Sequence, residues 1–139
     1  MISRELATAL KGAGLVWHPA SGDRFQLDLP DEVEPEVDAE VFTVSEMTIE
    51  SHPTPSGTIL GFNGTTEWAL DSLTLADAVW LPREDQLREL LRSTFRSLRR
   101  RDDAFEVEVE IAGTALRFEH PEVAEAYGRA LLELIGRSR

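Results

Sequence analysis

The chain has 139 residues, 42% of them hydrophobic and 29% charged, which is the balance of a folded globular protein. Its length matches one domain of about 100–150 residues, so residues 1–139 are expected to form a single unit that needs no covalent staple. Twenty-six acidic against fourteen basic side chains leave a net charge of −12, which disfavours nucleic acid and anionic membranes as partners, and the absence of cysteine excludes disulfides, thiolate metal sites and thiol nucleophiles.

Met1-Ile2-Ser3-Arg4-Glu5 lacks the apolar run of an export signal, and no stretch approaches the roughly 18 apolar residues of a membrane span. A cytoplasmic location is therefore expected. Ser3 is placed to cap a short helix with Leu6, Ala9 and Leu10 on one face, and Gly12 and Gly14 are suitable stops. Phe25, Leu27 and Leu29 alternate as a strand does. Six acidic residues between Asp31 and Glu40, interrupted by Pro35, predict an exposed loop. Val41–Glu50 reads as a second strand whose phase changes near Ser45. His52-Pro53-Thr54-Pro55-Ser56-Gly57 predicts a turn, Thr58–Phe62 a third strand, and Asn63-Gly64 a hairpin turn into Thr66–Leu70, which reads as a returning strand or as one turn of helix.

From Pro82 the spacing of Leu87, Leu90, Leu91, Phe95 and Leu98 predicts a helix running to about Arg101. Phe105, Val107, Val109 and Ile111 then alternate with Glu106, Glu108 and Glu110, giving a strand with one apolar face and one comb of carboxylates turned to water. Ala112-Gly113 turns the chain into a strand with Leu116 and Phe118 inward, and Pro121 opens a last helix with Val123, Tyr127, Ala130, Leu131 and Leu134 on one face. The expected fold is α+β, a single antiparallel sheet of about five strands with helices packed on it, in the order α-βββ-α-ββ-α.

Charge is unevenly placed. Pro82–Arg101 holds seven arginines against three carboxylates, a local +4 that leaves −16 on the rest of the chain. Arg88, Arg92, Arg96 and Arg100 recur every four residues and would line one side of that helix. Such a row is a solvated face paired with the chain's own carboxylates, a docking face for an acidic partner or a second copy, or a nucleic-acid contact. Nucleic acid is not expected, because no aromatic platform flanks the arginines and the remaining charge opposes it. His18, His52 and His120 each precede a proline and are expected in connectors. Trp68 and Trp80, with His52 or His120 at the rim, are the residues that would line a small-molecule pocket. The acidic run lacks the spacing and glycine of a calcium loop, and no Gly-x-Ser-x-Gly elbow is present. No catalytic residue, metal site or cofactor is expected.

Phe62-Asn63-Gly64-Thr65-Thr66-Glu67-Trp68-Ala69-Leu70-Asp71, Trp80-Leu81-Pro82-Arg83-Glu84-Asp85-Gln86-Leu87-Arg88-Glu89-Leu90-Leu91 and Glu125-Ala126-Tyr127-Gly128-Arg129-Ala130-Leu131-Leu132 resemble a family of short proteins from high-GC bacteria. That family often carries a pilus-assembly label after the CpaE localisation ATPase. The residues do not support an ATPase: after Lys11-Gly12-Ala13-Gly14, Leu15 and Val16 stand where lysine and a hydroxyl residue must hold phosphate and magnesium. The expected element order is similar to that of type III secretion chaperones and YbjN-like proteins, a likeness that implies binding of partner segments, often by dimers. The sequence therefore points to a non-enzymatic, chaperone- or adaptor-like domain that binds a protein partner or itself as a homodimer. The alternatives are a small-molecule binder or enzyme and an acidic nucleic-acid mimic.

Overall fold

Ser3 and Gly14 bracket the first helix as their chemistry dictates. In a computed structural model, which describes residues 1–28, 40–44, 49–54, 57–62 and 72–138, helix α1 spans Arg4–Ala13. The Ser3 hydroxyl accepts from the Leu6 amide at 3.2 Å, and Gly14 adopts the left-handed conformation, φ 114°, from which its N–H reaches the carbonyls of Leu10 and Lys11. Leu6, Ala7 and Leu10 are the buried residues of α1, so Ala7 takes the place expected for Ala9.

Six strands follow: β1 (Arg24–Leu27), β2 (Phe42–Thr43), β3 (Ile49–Thr54), β4 (Gly57–Phe62), β5 (Ser72–Thr74) and β6 (Ala78–Leu81). Helix α2 (Glu84–Leu91) leads through one 3₁₀ turn, Arg92–Thr94, into β7 (Phe95–Arg101), β8 (Ala104–Ile111) and β9 (Thr114–His120), and α3 (Val123–Arg137) closes the described chain. The class is α+β, but the single five-stranded sheet is not found. The described strands form three three-stranded sheets, ordered β2-β1-β6, β3-β4-β5 and β7-β8-β9, the last two wholly antiparallel. The extra strands arise where one expected strand divides, where residues 72–81 had no legible periodicity, and where a strand imitates a helix.

The divided strand is Val41–Glu50, whose two halves, β2 and β3, belong to different sheets. Residues 45–48, where the alternation changes phase, lie outside the described residues. His52 and Pro53 lie on β3, not in a turn, and Thr54 pairs directly with Gly57. The extended conformation that proline imposes on its predecessor suits a strand as well as a loop, and β3 is a sheet edge, where a missing N–H is tolerated. His120 likewise ends β9. Leu29, most of the acidic run, the Asn63-Gly64 turn and the Thr66–Leu70 segment lie outside the described residues.

By its contacts the chain divides into Trp17–Trp80 and a unit of Met1–Val16 with Leu81–Arg139. In the first, the alternating Phe25 and Leu27 of β1 are buried, with Trp17 packed on Phe25 at 5.4 Å between ring centroids and Phe42 at 5.5 Å from Phe25. Asp23, 2% exposed, ties this cluster down: its carboxylate accepts from the Trp17 indole N–H at 2.9 Å and from the Ala20 amide at 3.0 Å. Its own backbone carbonyl accepts from Val44 at 2.8 Å. A buried carboxylate is tolerated here because both donors face it.

The second unit packs α3 against α1, α2, β8 and β9. The face of α3 is built from small residues, Ala124, Ala126, Gly128 and Ala130, with Tyr127 and Leu131. Gly128 marks the closest approach, since a Cβ built there would lie 2.6 Å from Leu6 Cδ2 and 3.1 Å from Ile2 Cδ1. Gly128→Val should therefore overpack the α1–α3 seam and cost about 1–3 kcal/mol. A fall in the urea midpoint at unchanged slope would show it; an unaltered midpoint would mean that α1 does not sit on α3 this closely.

Candidate functional site

The arginine-rich segment is where expectation and structure part most sharply. Helix α2 ends at Leu91 after eight residues, and Arg92 takes φ 52°. The Thr94 hydroxyl donates to the Leu91 carbonyl at 2.5 Å, satisfying one of the acceptors left open at a helix end. The chain then continues as β7. Phe95 pairs with Val109 and Leu98 with Val107, with a register shift between Phe95 and Ser97. In a regular strand residues three apart point to opposite faces; the bulge restores them to one face, and so copies the spacing of a helix. Arg88 and Arg92 thus belong to α2 and its end, whereas Arg96 and Arg100 belong to β7, and the four do not form one row.

On β8 the apolar side, Val107, Val109 and Ile111, is buried, whereas the opposite side carries Glu106, Glu108 and Glu110. That comb does not face open water. Glu106 is only 5% exposed, and it accepts from Arg101 Nη1 at 2.8 Å while Arg117 Nε lies at 3.2 Å from its other oxygen. Arg117 also bonds Glu108 at 2.9 Å, and Arg96 donates through Nε at 3.1 Å and Nη2 at 2.8 Å to Glu110. Two of the segment's arginines therefore meet the chain's own carboxylates across strands, not along a helix. The Arg101 hydrogen bond, aided by the charges of Arg101, Arg117 and Arg99, holds the Glu106 carboxyl below its ordinary pKa against the opposing effect of burial. The same bond raises Arg101, and the bond to Glu108 raises Arg117. Arg92, Arg99 and Arg100 make no ion pair among the described residues.

Arg88 is used differently: its guanidinium lies 4.5 Å from the centre of the Phe95 ring, which in turn tilts against Tyr127 at 5.8 Å. These residues floor a groove of about 690 Å³ between α2, β7 and α3, lined also by Glu84, Glu89, Arg92 and Leu98. Leu98 is 39% exposed, whereas Tyr127 is 2% exposed. Burial raises the pKa of Tyr127 above the ordinary tyrosine range, against the pull of Arg88 and with a smaller push from Glu84, so its hydroxyl stays neutral. The site thus offers an apolar, aromatic base under a rim of both charges. Arg88 and Arg92 are the two expected residues it brings together; Arg96 is spent on Glu110, and Arg100 is exposed further along β7. Phe95, Leu98 and Tyr127 carry the groove's apolar surface, and the sequence signalled them only as core positions.

Of the other expected pocket residues, Trp68 lies outside the described residues and His52 is a β3 residue. Trp80 lies on β6, stacked on Trp17 at 6.3 Å and 11°, and its indole N–H is buried without a hydrogen-bond partner among the described residues. No described helix is long and apolar enough to cross a membrane. Comparisons with protein-family models, curated proteins and solved structures return no significant match to this chain.

Because Glu106 has its pKa lowered by folding, its contribution to stability is present at neutral pH and is lost as pH falls through the folded-state value. Glu106→Gln should accordingly be less stable than the parent at pH 7, and the gap should close as pH drops below the ordinary glutamate range. Urea titrations at a series of pH values measure this; a gap of constant size down to acid pH would show that the carboxylate's charge is not what the arginines hold.

Proposed function

We propose that this chain is a non-enzymatic, cytoplasmic protein-binding module, chaperone- or adaptor-like in its use, and that it contacts its partner through the groove between α2, β7 and α3. The observation that carries this reading is Leu98: a large apolar side chain, 39% exposed, beside a Phe95–Tyr127 floor and flanked by Arg88 and Arg92. Exposed apolar surface rimmed by charge is the usual constitution of a contact site, with the aromatic floor supplying burial and the rim supplying selectivity. Arg92 and Arg100 support the reading as well, because an arginine that has no carboxylate partner among the described residues offers its charge to an acidic partner. The carboxylates of the rim, Glu84, Asp85 and Glu89, are all exposed and give the groove a mixed-charge border together with Arg88 and Arg92. The likeness to type III secretion chaperones and YbjN-like proteins adds nothing here, since it was one of element order and the observed order differs.

Leu98→Asp tests the reading, because it replaces the exposed apolar contact with a charge at a position that remains wet. With the parent and Leu98→Asp proteins as parallel baits in a lysate, a partner captured by the parent should fall by at least about tenfold on the variant, as expected for a central contact residue. Equal retention of every captured protein by a folded variant would exclude this groove as the contact surface.

A further inference from the structure

The sheet β7-β8-β9 has two edges, and they are built differently. β7 carries Arg96, Arg99, Arg100 and Arg101, a run of like charge that resists pairing with another copy of itself. β9 reads Thr-Ala-Leu-Arg-Phe-Glu-His over Thr114–His120 and has no such guard. Thr114, Ala115, Arg117 and Glu119 are exposed, and Leu116, Phe118 and His120 are half-exposed. Among the described residues the backbone of β9 bonds to β8 alone, so its outer row of N–H and C=O groups is open. Register with β8 places Phe118 opposite Val107 and Leu116 opposite Val109, on the apolar side, with Arg117 and Glu119 on the charged side.

We propose that β9 pairs antiparallel with β9 of a second copy, about a two-fold axis at Phe118, joining the two sheets into one of six strands. The choice of register follows from charge. A two-fold pairing that keeps the apolar sides together must place some residue opposite itself. Centring on Arg117 or on Glu119 sets like charges face to face, and centring on Leu116 leaves neither charge with an opposite partner. Centring on Phe118 sets Arg117 opposite Glu119 of the second copy, and by symmetry does so twice. It also stacks the half-exposed Phe118 ring against its counterpart. Cross-strand pairs of this kind, an aromatic pair and two opposite-charge pairs, are the units that stabilise an antiparallel ladder. Glu119 makes no ion pair within the described residues, so the pairing costs the fold none of its own bridges at that position. The contact lies at the opposite edge of the sheet from β7 and is independent of the groove.

Sedimentation equilibrium across a concentration series tests it, with three proteins compared. The parent should show a monomer–dimer equilibrium. Glu119→Arg, which places arginine opposite Arg117 at both pairs while leaving the bonds of Arg117 to Glu106 and Glu108 in place, should weaken the dimer by about tenfold or more. Glu119→Gln, which removes the opposite charge without setting two arginines face to face and leaves Arg117 in place, should weaken the dimer by less than Glu119→Arg does. Amide exchange supplies a second reading free of substitution: β9 amides of the parent should gain protection as protein concentration rises. A parent that stays monomeric, a Glu119→Arg protein that dimerises like the parent, or β9 amides indifferent to concentration would each overturn the proposal.

Discussion

Everything in the second unit depends on how β8 reconciles its two faces. Valine and isoleucine on one side must be roofed, and α3 roofs them; glutamates on the other would repel one another if left bare. They are not left bare, because arginines from both neighbouring strands lie over them, Arg96 and Arg101 from β7 and Arg117 from β9. A carboxylate as enclosed as Glu106 is stable only with such partners, since burying an unpaired charge costs far more than most single contacts return. The charge segregation seen along the chain is thus, in good part, a pairing code between adjacent strands. Arg92, Arg99 and Arg100, which make no ion pair among the described residues, stand apart from that code together with the aromatic groove.

The same pairing explains why β7 is a strand at all. As an isolated segment Phe95–Arg101 has little reason to leave the helix that precedes it, because arginine and leucine are good helix formers. Two local features turn it: Arg92 at positive φ and the Thr94 hydroxyl closing on Leu91. Thereafter the two-residue turn at Asp102-Asp103, with Asp102 at φ 51°, brings six residues of β7 directly alongside β8. Tertiary pairing overrides local propensity, and does so with ion pairs that exist only once both strands are in place.

Several elements were legible because their signals were local. Ser3 and Gly14 mark α1, the Phe105–Ile111 alternation marks β8, and Ala112-Gly113 turns into β9 as read, with both residues at positive φ. The helix α3 was legible too, its face running through Tyr127, Ala130 and Leu131. What failed was non-local. A bulge made Phe95 and Leu98 share a face at helical spacing, and sequence periodicity does not distinguish those two origins. Because the helix was extended by one element, Arg88, Arg92, Arg96 and Arg100 looked like one row, and the groove that only Arg88 and Arg92 reach was invisible. Glu106 was read as solvated for a related reason: alternation shows that a side chain leaves the core, but not that neighbouring strands will cover it.

Nuclear magnetic resonance distances along residues 95–101 separate the two arrangements without any substitution. The strand pairing requires short proton–proton distances across the ladder, between the backbones of Leu98 and Val107 and of Arg100 and Phe105, with extended sequential patterns on both segments. Successive short amide–amide distances running from Leu91 through Arg101, with no contact to residues 105–109, would instead make this segment a helix and return its arginines to one solvent-facing row.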